Sequence, residues 1–151
     1  SGVFLQQGIT YLWMLFFVFL LGLGLSKSLE VFSVIEQRQK EQELLYIGQI
    51  YKEAIKQYYL SGQNKNIYPK NLNDLLRDPR YLVTRRYIRK IYPDPVTNKD
   101  FLLIFSAEGG ICGVKSESKK RPFRAFFKED EFQKFNNAKN YQQWEFKYGC
   151  L

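Results

Sequence analysis

The chain has 151 residues, of which 45% are hydrophobic and 25% are charged, and its formal net charge is +8. It contains no histidine, no glycine-rich phosphate loop and no Gly-x-Ser-x-Gly motif, so the usual sequence signatures of catalysis are absent. Its one run of three carboxylates, Glu129-Asp130-Glu131, would point in different directions on a helix instead of converging on a substrate. We therefore predict a protein that is not an enzyme and that uses no cofactor or metal ion.

The N-terminal part of the chain is uncharged from Ser1 to Ser26, and a dense apolar block runs from Tyr11 to Leu25. With Ile9 at its start, this block can cross most of a hydrocarbon layer of ~30 Å as a helix that rises ~1.5 Å per residue. A helix is required there because each unpaired backbone group in lipid costs several kcal/mol. The sequence thus predicts one membrane-spanning segment over residues 9–25.

The segment after Leu25 lacks the Ala-x-Ala cleavage site typical of a removable secretory signal, and no proline occurs before Pro69. Apolar residues recur there at steps of three and four, which places them on one stripe of a helix. The stripe consists of Leu44, Ile47, Tyr51, Ala54, Ile55 and Tyr58. We predict one continuous helix from Ile9 to Leu60, of which residues 26–60 form the amphipathic part.

Residues 61–151 are enough for one small globular domain if the amphipathic stripe supplies part of its core. Gly62 is well placed to end the long helix. Asn71 is predicted to cap a short helix, and a second short helix is predicted from Thr84 to Ile91. A third is predicted from Glu129 to Phe135.

Three strands are predicted in this domain. Phe101–Phe105 has strand composition, and Ala107–Gly110 can turn it into Ile111–Val114 as a hairpin. Trp144–Tyr148 alternates aromatic and charged residues, which favours a sheet with one face on the long helix and the other in water. The predicted fold class is α+β, a long helix packed on a small antiparallel sheet.

The junction Gly8-Ile9-Thr10-Tyr11-Leu12 precedes an apolar helix that continues into an amphipathic one and a small C-terminal domain. This arrangement resembles the type IV pilin and type II secretion pseudopilin superfamily. In that family a prepilin peptidase cuts after the glycine and methylates the new N-terminus, and the apolar helix is both membrane anchor and filament core. The resemblance implies a leader over residues 1–8, cleavage between Gly8 and Ile9, and an N-methylated Ile9.

The resemblance also bears on two glycines and one tryptophan in the apolar helix. Subunits of the family lose helical structure near glycines in the region of Gly22 and Gly24, and a glycine weakens a helix by ~1 kcal/mol relative to alanine. The alternative is that both are small residues for close helix packing in lipid. Trp13 stands where the family usually has a glutamate that pairs with a neighbour's N-terminal amine, which suggests a minor or initiating subunit.

Cys112 and Cys150 are the only cysteines. In an oxidising periplasm an even count favours a disulfide, which would tie the C-terminal segment to the hairpin and stabilise the fold by about 3 to 4 kcal/mol. The alternative is two isolated thiols, with Cys112 a small core residue.

Calcium binding is a property of the major pseudopilin group, which holds the ion in an Asp-rich loop after the hairpin. The corresponding residues 115–120 are mostly basic, so we predict no calcium site there. Asp94, Thr97, Asn98 and Asp100 carry oxygen atoms that could bind a cation, but a capped turn is the preferred interpretation.

The positive charge is concentrated after the long helix in two segments. If they share a face with neighbouring aromatic residues, they would attract DNA phosphates or acidic partners. The alternative is a solvated surface, or contacts to acidic lipid and neighbouring subunits. The predicted basic surface consists of Arg85, Arg86, Arg89, Lys90, Lys119, Lys120, Arg121 and Arg124.

Taken with the resemblance, these features predict a pilin-like structural subunit, a minor pseudopilin of a type II secretion system or a type IV pilus-like filament that serves protein secretion. It is expected in the bacterial inner membrane, crossing once, with its C-terminal domain in the periplasm. Its expected partners are other pilins or pseudopilins, the prepilin peptidase, an inner-membrane assembly platform and membrane lipid. Two alternatives stay open: a minor pilin for DNA uptake or adhesion, and a membrane-anchored periplasmic binding domain.

Overall fold

The computed structural model of the chain describes the backbone of residues 3–63 and 66–150, and their side chains except those of residues 3–7 and 26–30. Of the predicted leader over residues 1–8, Ser1 and Gly2 lie outside the described residues.

One helix, α1, covers Val3–Leu60 and is 58 residues long, so the predicted continuous helix is confirmed and begins earlier than expected. Gly62 follows it with a φ of 93°, a left-handed conformation that glycine adopts without strain and that ends helices. The chain forms two compact units, the first ending at Arg38 and the second beginning at Gln39. The segment predicted as amphipathic, residues 26–60, is therefore divided between them.

The second unit contains a three-stranded antiparallel sheet in the order β1-β2-β3, which confirms the predicted α+β class. The strands are β1 (Leu102–Phe105), β2 (Ile111–Lys115) and β3 (Glu145–Lys147). The predicted hairpin between β1 and β2 forms, and Gly109 at its turn has a φ of 91°. Val114 in the central strand is the register partner of Leu103 in β1 and of Phe146 in β3.

The core of the second unit is built on the predicted stripe of α1, whose six residues are all buried. Gly48 lies on the same helix, and a Cβ atom there would come within 2.4 Å of the Phe146 ring. The glycine therefore allows the sheet to approach the helix closely. Burial of each large apolar side chain stabilises the fold by about 1.5–3 kcal/mol.

The prediction that the sheet exposes one face to water is wrong for the central strand, because Ile111, Cys112, Gly113 and Val114 are all buried. Segments outside the sheet pack against β2. The amide of Ile111 donates to the carbonyl of Pro69 at 2.8 Å. A buried central strand therefore lacks the alternating pattern of a sheet with one solvated face.

Two predictions about short helices are also wrong. The helix α2 covers only Asn73–Leu76, and Asn71 does not cap it. Instead the Asp74 carboxylate accepts hydrogen bonds from the amides of Lys70 and Asn71, at 3.0 and 3.2 Å. Thr84 to Ile91 is not helical, because its backbone groups pair elsewhere: the amides of Tyr87 and Ile88 both donate to the Leu75 carbonyl.

The third predicted short helix, over residues 129–135, forms as a 3₁₀ helix over Asp130–Phe135. A further 3₁₀ turn, Tyr141–Gln143, was not predicted, and Trp144 connects it to β3.

Candidate functional site

The apolar segment Gly8–Leu25 is helical throughout and is long and apolar enough to span a membrane. None of it is buried by the rest of the described chain. Its large apolar side chains are between 46% and 69% exposed. An apolar surface of this extent requires a cover, either lipid or other helices.

Exposed apolar side chains continue past the segment that lipid would cover. Val31, Phe32, Val34 and Ile35 are between 39% and 70% exposed. From Ile9 to Ile35 the helix extends roughly 40 Å, which exceeds a hydrocarbon layer of ~30 Å. Lys27 and Glu30 also lie between the two apolar regions in the sequence.

The predicted processing residues, Gly8 and Ile9, both lie in α1 and are exposed. A Cβ atom on Gly8 would meet nothing within 4 Å, so no packing contact in the described chain requires glycine there. The same holds for Gly22 and Gly24, and α1 continues through both. Trp13 is exposed and lies edge-on to Phe16, with ring centroids 6.1 Å apart.

The structure contains a disulfide between Cys112 and Cys150, whose Cα atoms are 5.4 Å apart. It joins β2 to the C-terminal segment. Tyr68 holds the same segment, because its hydroxyl donates to the Tyr148 carbonyl at 3.0 Å and accepts from the Cys150 amide at 3.1 Å. For residues separated by 38 positions, the chain-entropy model gives a stabilisation of about 4 kcal/mol.

Glu41 of α1 is a buried carboxylate that sequence analysis missed, with an exposure of 4%. It accepts hydrogen bonds from the amides of Phe123 and Arg124, at 2.8 and 3.0 Å, and from the Tyr141 hydroxyl at 2.8 Å. One helix residue thus holds two distant segments. A signal existed in the sequence, because Glu41 lies three residues before Leu44 and continues the apolar stripe with a charged residue.

The buried Asp78 carboxylate forms an ion pair with Arg80, whose side chain is 20% exposed, at the C-terminal end of α1. Arg80 donates to both Asp78 oxygens, at 2.9 and 2.7 Å, and Tyr87 donates to Asp78 at 2.7 Å. The Arg80 guanidinium also donates to the carbonyls of Tyr58 and Ser61. The loop that follows α2 is therefore fixed to the end of the helix.

The protonation equilibria of this pair follow from the contacts. Burial raises the pKa of the Asp78 carboxyl, but the hydrogen bonds from Arg80 and Tyr87 outweigh it, so the pKa lies below its ordinary value. The hydrogen bonds to Asp78 raise the pKa of the Arg80 guanidinium above its ordinary value. Both groups therefore stay charged at neutral pH.

The predicted basic residues are all exposed, but the structure anchors their two segments at different places on α1. The segment with Arg85 is fixed through Arg80 to Tyr58, and the segment with Arg124 is fixed to Glu41. These positions on α1 are roughly 25 Å apart along the helix. Arg85 and Arg124 therefore lie on different parts of the second unit, and we call the exposed cations around each of them a basic surface.

The oxygen-rich cluster at Asp94 is a capped turn. The buried Asp94 carboxylate accepts hydrogen bonds from the Val96 amide and the hydroxyls of Thr97 and Ser116. The Asn98 amide donates to the Asp94 carbonyl at 2.7 Å. Within the described part of the chain, no group of three or more Cys, Asp or Glu side chains is placed to hold a metal ion.

The long N-terminal apolar helix and the small antiparallel sheet are compatible with a pilin-like fold. This compatibility rests on the geometry of the chain. No protein-family model matches the chain, and no curated protein or solved structure matches it either.

Proposed function

We propose that the chain is a pilin-like structural subunit that is stored in a membrane through its apolar helix and assembled into a filament through the same helix. The observation that carries the proposal is the exposed apolar surface of α1, which extends past Leu25 to Ile35. Lipid and a bundle of neighbouring helices both keep such a surface from water. Transfer from one to the other therefore loses little hydrophobic stabilisation, and a separate motor supplies the work of assembly.

The extent of the apolar surface favours a filament subunit over a plain anchored binding domain. A plain anchor needs a cover only over the thickness of the hydrocarbon layer, most of which residues 9–25 already cross. Val31, Phe32, Val34 and Ile35 lie beyond Lys27 and Glu30, and lipid does not cover them when the charges are at the membrane surface. Neighbouring helices of a filament would cover them.

The specific form of the proposal is a minor pseudopilin of a type II secretion or pilus-like filament, processed between Gly8 and Ile9. Three observations support it. No packing contact of the described chain requires glycine at position 8, which leaves this position free to serve recognition by a peptidase. Trp13 cannot form the ion pair that usually sets subunit register in the family. The disulfide Cys112–Cys150 suits a C-terminal domain on the oxidising, periplasmic side of the membrane.

The experiment replaces both Phe32 and Ile35 with serine, in the cell that makes the protein. The filament proposal expects normal membrane insertion and a strong loss of the subunit from the sheared filament fraction. A matched control is Gln42→Ser, an exposed polar position on the same helix. If the double variant enters filaments as well as the control does, the helix surface beyond the membrane is not an assembly surface and the proposal fails.

A further inference from the structure

A short loop follows Asp78, and we name it the Leu82 loop, residues 79–84. The Asp78 amide donates to the Arg85 carbonyl at 3.0 Å and closes its base. Arg80, inside the loop, is bound to Asp78, Ser61 and the Tyr58 carbonyl. The base of the loop is therefore held on the end of α1.

The tip of the Leu82 loop exposes two aliphatic side chains. Leu82 is 105% exposed and Val83 is 82% exposed, the two highest values among the exposed large apolar side chains of the described residues. They exceed even the values in the apolar segment of α1. Two exposed aliphatic side chains on a loop with a fixed base are suited to insertion into an apolar environment.

The residues around the loop are cationic and lack acidic partners. Residues 79–93 contain no aspartate or glutamate, and the Asp78 carboxylate is already used by Arg80. The ion pairs of the described residues involve none of the nearby exposed cations. These cations are Arg77, Arg85, Arg86, Arg89 and Lys90.

Tyrosines complete the surface. Arg85 donates to the Tyr81 hydroxyl at 3.0 Å, and its guanidinium carbon lies 4.9 Å from the centre of the Tyr81 ring. The same carbon lies 5.7 Å from the centre of the Tyr87 ring. Aliphatic, aromatic and cationic side chains in one place are the composition of segments that bind at a membrane–water interface.

We propose that the Leu82 loop binds the surface of a membrane that contains anionic lipid. Leu82 and Val83 enter the boundary of the hydrocarbon region, and the surrounding arginines and Lys90 contact the lipid phosphates. Nucleic acid would satisfy the cations but would leave the aliphatic tip in water. The loop of a second copy carries the same cations and no carboxylate, so two such loops would repel one another.

The inference rests on the second unit alone and does not depend on filament assembly. It is tested with the full chain held in nanodiscs of phosphatidylcholine, which occupy its membrane-spanning segment. Separate vesicles are then added, either of phosphatidylcholine alone or of phosphatidylcholine with phosphatidylglycerol. Flotation of the vesicles measures how much of the nanodisc-bound protein they carry.

The expected result is binding to the vesicles with phosphatidylglycerol and not to those of phosphatidylcholine alone. Leu82→Ser with Val83→Ser should lower the partition coefficient at least roughly tenfold. Arg85→Gln with Arg86→Gln should lower it roughly fivefold for each charge removed. All four side chains are exposed, so thermal unfolding curves should match that of the wild type.

The matched control is Phe123→Ser with Phe126→Ser, an exposed aromatic pair beside Arg121 and Arg124 on the other basic surface. It should leave vesicle binding unchanged. The proposal is overturned if the wild type does not float with anionic vesicles, which would favour a protein partner. It is also overturned if neutral vesicles bind equally well, or if the control variant loses binding and the loop variant retains it.

Discussion

Replacement of Glu41 tests whether one buried carboxylate holds the segments around Phe123 and Tyr141 on α1. The carboxylate accepts three hydrogen bonds, two from backbone amides and one from the Tyr141 hydroxyl. Glu41→Ala removes the acceptor for all three. Glu41→Gln keeps one acceptor oxygen, but its NH₂ group then faces a backbone N–H. Two donors cannot form a hydrogen bond, so this N–H is left without an acceptor.

The magnitude follows from the donors left without a partner. A buried donor that loses its acceptor costs about 1–3 kcal/mol, so Glu41→Ala should lower the free energy of unfolding by about 4 kcal/mol. Glu41→Gln leaves one donor unpaired and should cost about 2 kcal/mol. Small domains have total stabilities of about 5–15 kcal/mol, so the alanine variant should unfold at a much lower denaturant concentration.

The assay is denaturant unfolding of the full chain in detergent micelles. Trp144 is fully buried in the second unit, and Trp13→Phe removes the other tryptophan, so fluorescence reports the second unit. Glu43→Ala is the control, because Glu43 is exposed on the same helix and should cost less than about 0.5 kcal/mol. If Glu41→Ala unfolds at the same midpoint as Glu43→Ala, the carboxylate does not hold these segments and the argument is wrong.

Three further predictions concern the stability of the second unit. Asp78→Asn should lower the free energy of unfolding by roughly 3 kcal/mol at neutral pH, because it removes the charge of a buried carboxylate that accepts hydrogen bonds from Arg80 and Tyr87. Folding lowers the pKa of Asp78, so the extra stability of the wild type over the variant should be complete above the ordinary pKa of 3.8 and be lost as the pH falls through the lower pKa of the folded state. An equal difference in stability at pH 7 and pH 2 would contradict this prediction. Gly48→Ala should destabilise by about 2 kcal/mol through the clash with Phe146, whereas Gly24→Ala, which meets nothing, should leave the unfolding midpoint unchanged; equal midpoints for the two would refute the packing argument. Reduction of the disulfide should lower stability by about 4 kcal/mol in thermal or denaturant unfolding, and an unchanged midpoint would show that the bridge does not constrain the unfolded chain.

The parts of the fold that follow from local patterns were predictable from the sequence. The stripe from Leu44 to Tyr58 is an i, i+3, i+4 pattern, and all six of its residues are buried. The hairpin depends on Gly109 at its turn and on short apolar strands on either side. Both signals lie within a few residues of one another, so no knowledge of tertiary contacts is needed.

The parts that depend on distant contacts were not predictable in the same way. The segment from Thr84 to Ile91 is not helical, because the amides of Tyr87 and Ile88 donate to the carbonyl of Leu75 in α2. The Asp78 amide also donates to the Arg85 carbonyl and closes the loop between them. Glu41 interacts with Phe123, 82 residues away. Its charge stands one helical turn before the apolar stripe and on the same face, which marks the position as unusual but does not identify its partners. The distance between Arg85 and Arg124 likewise depends on where each segment is anchored to α1.

Intact-mass and N-terminal analysis of the protein from its native membrane shows whether the apolar helix belongs to a processed filament subunit. Wild type and Gly8→Leu are compared with and without the prepilin peptidase. We predict an N-methylated Ile9 start in wild type that depends on the peptidase, and a retained leader in Gly8→Leu. A leader retained ahead of Gly8 in wild type with the peptidase present would contradict the account and favour a plain membrane-anchored binding domain.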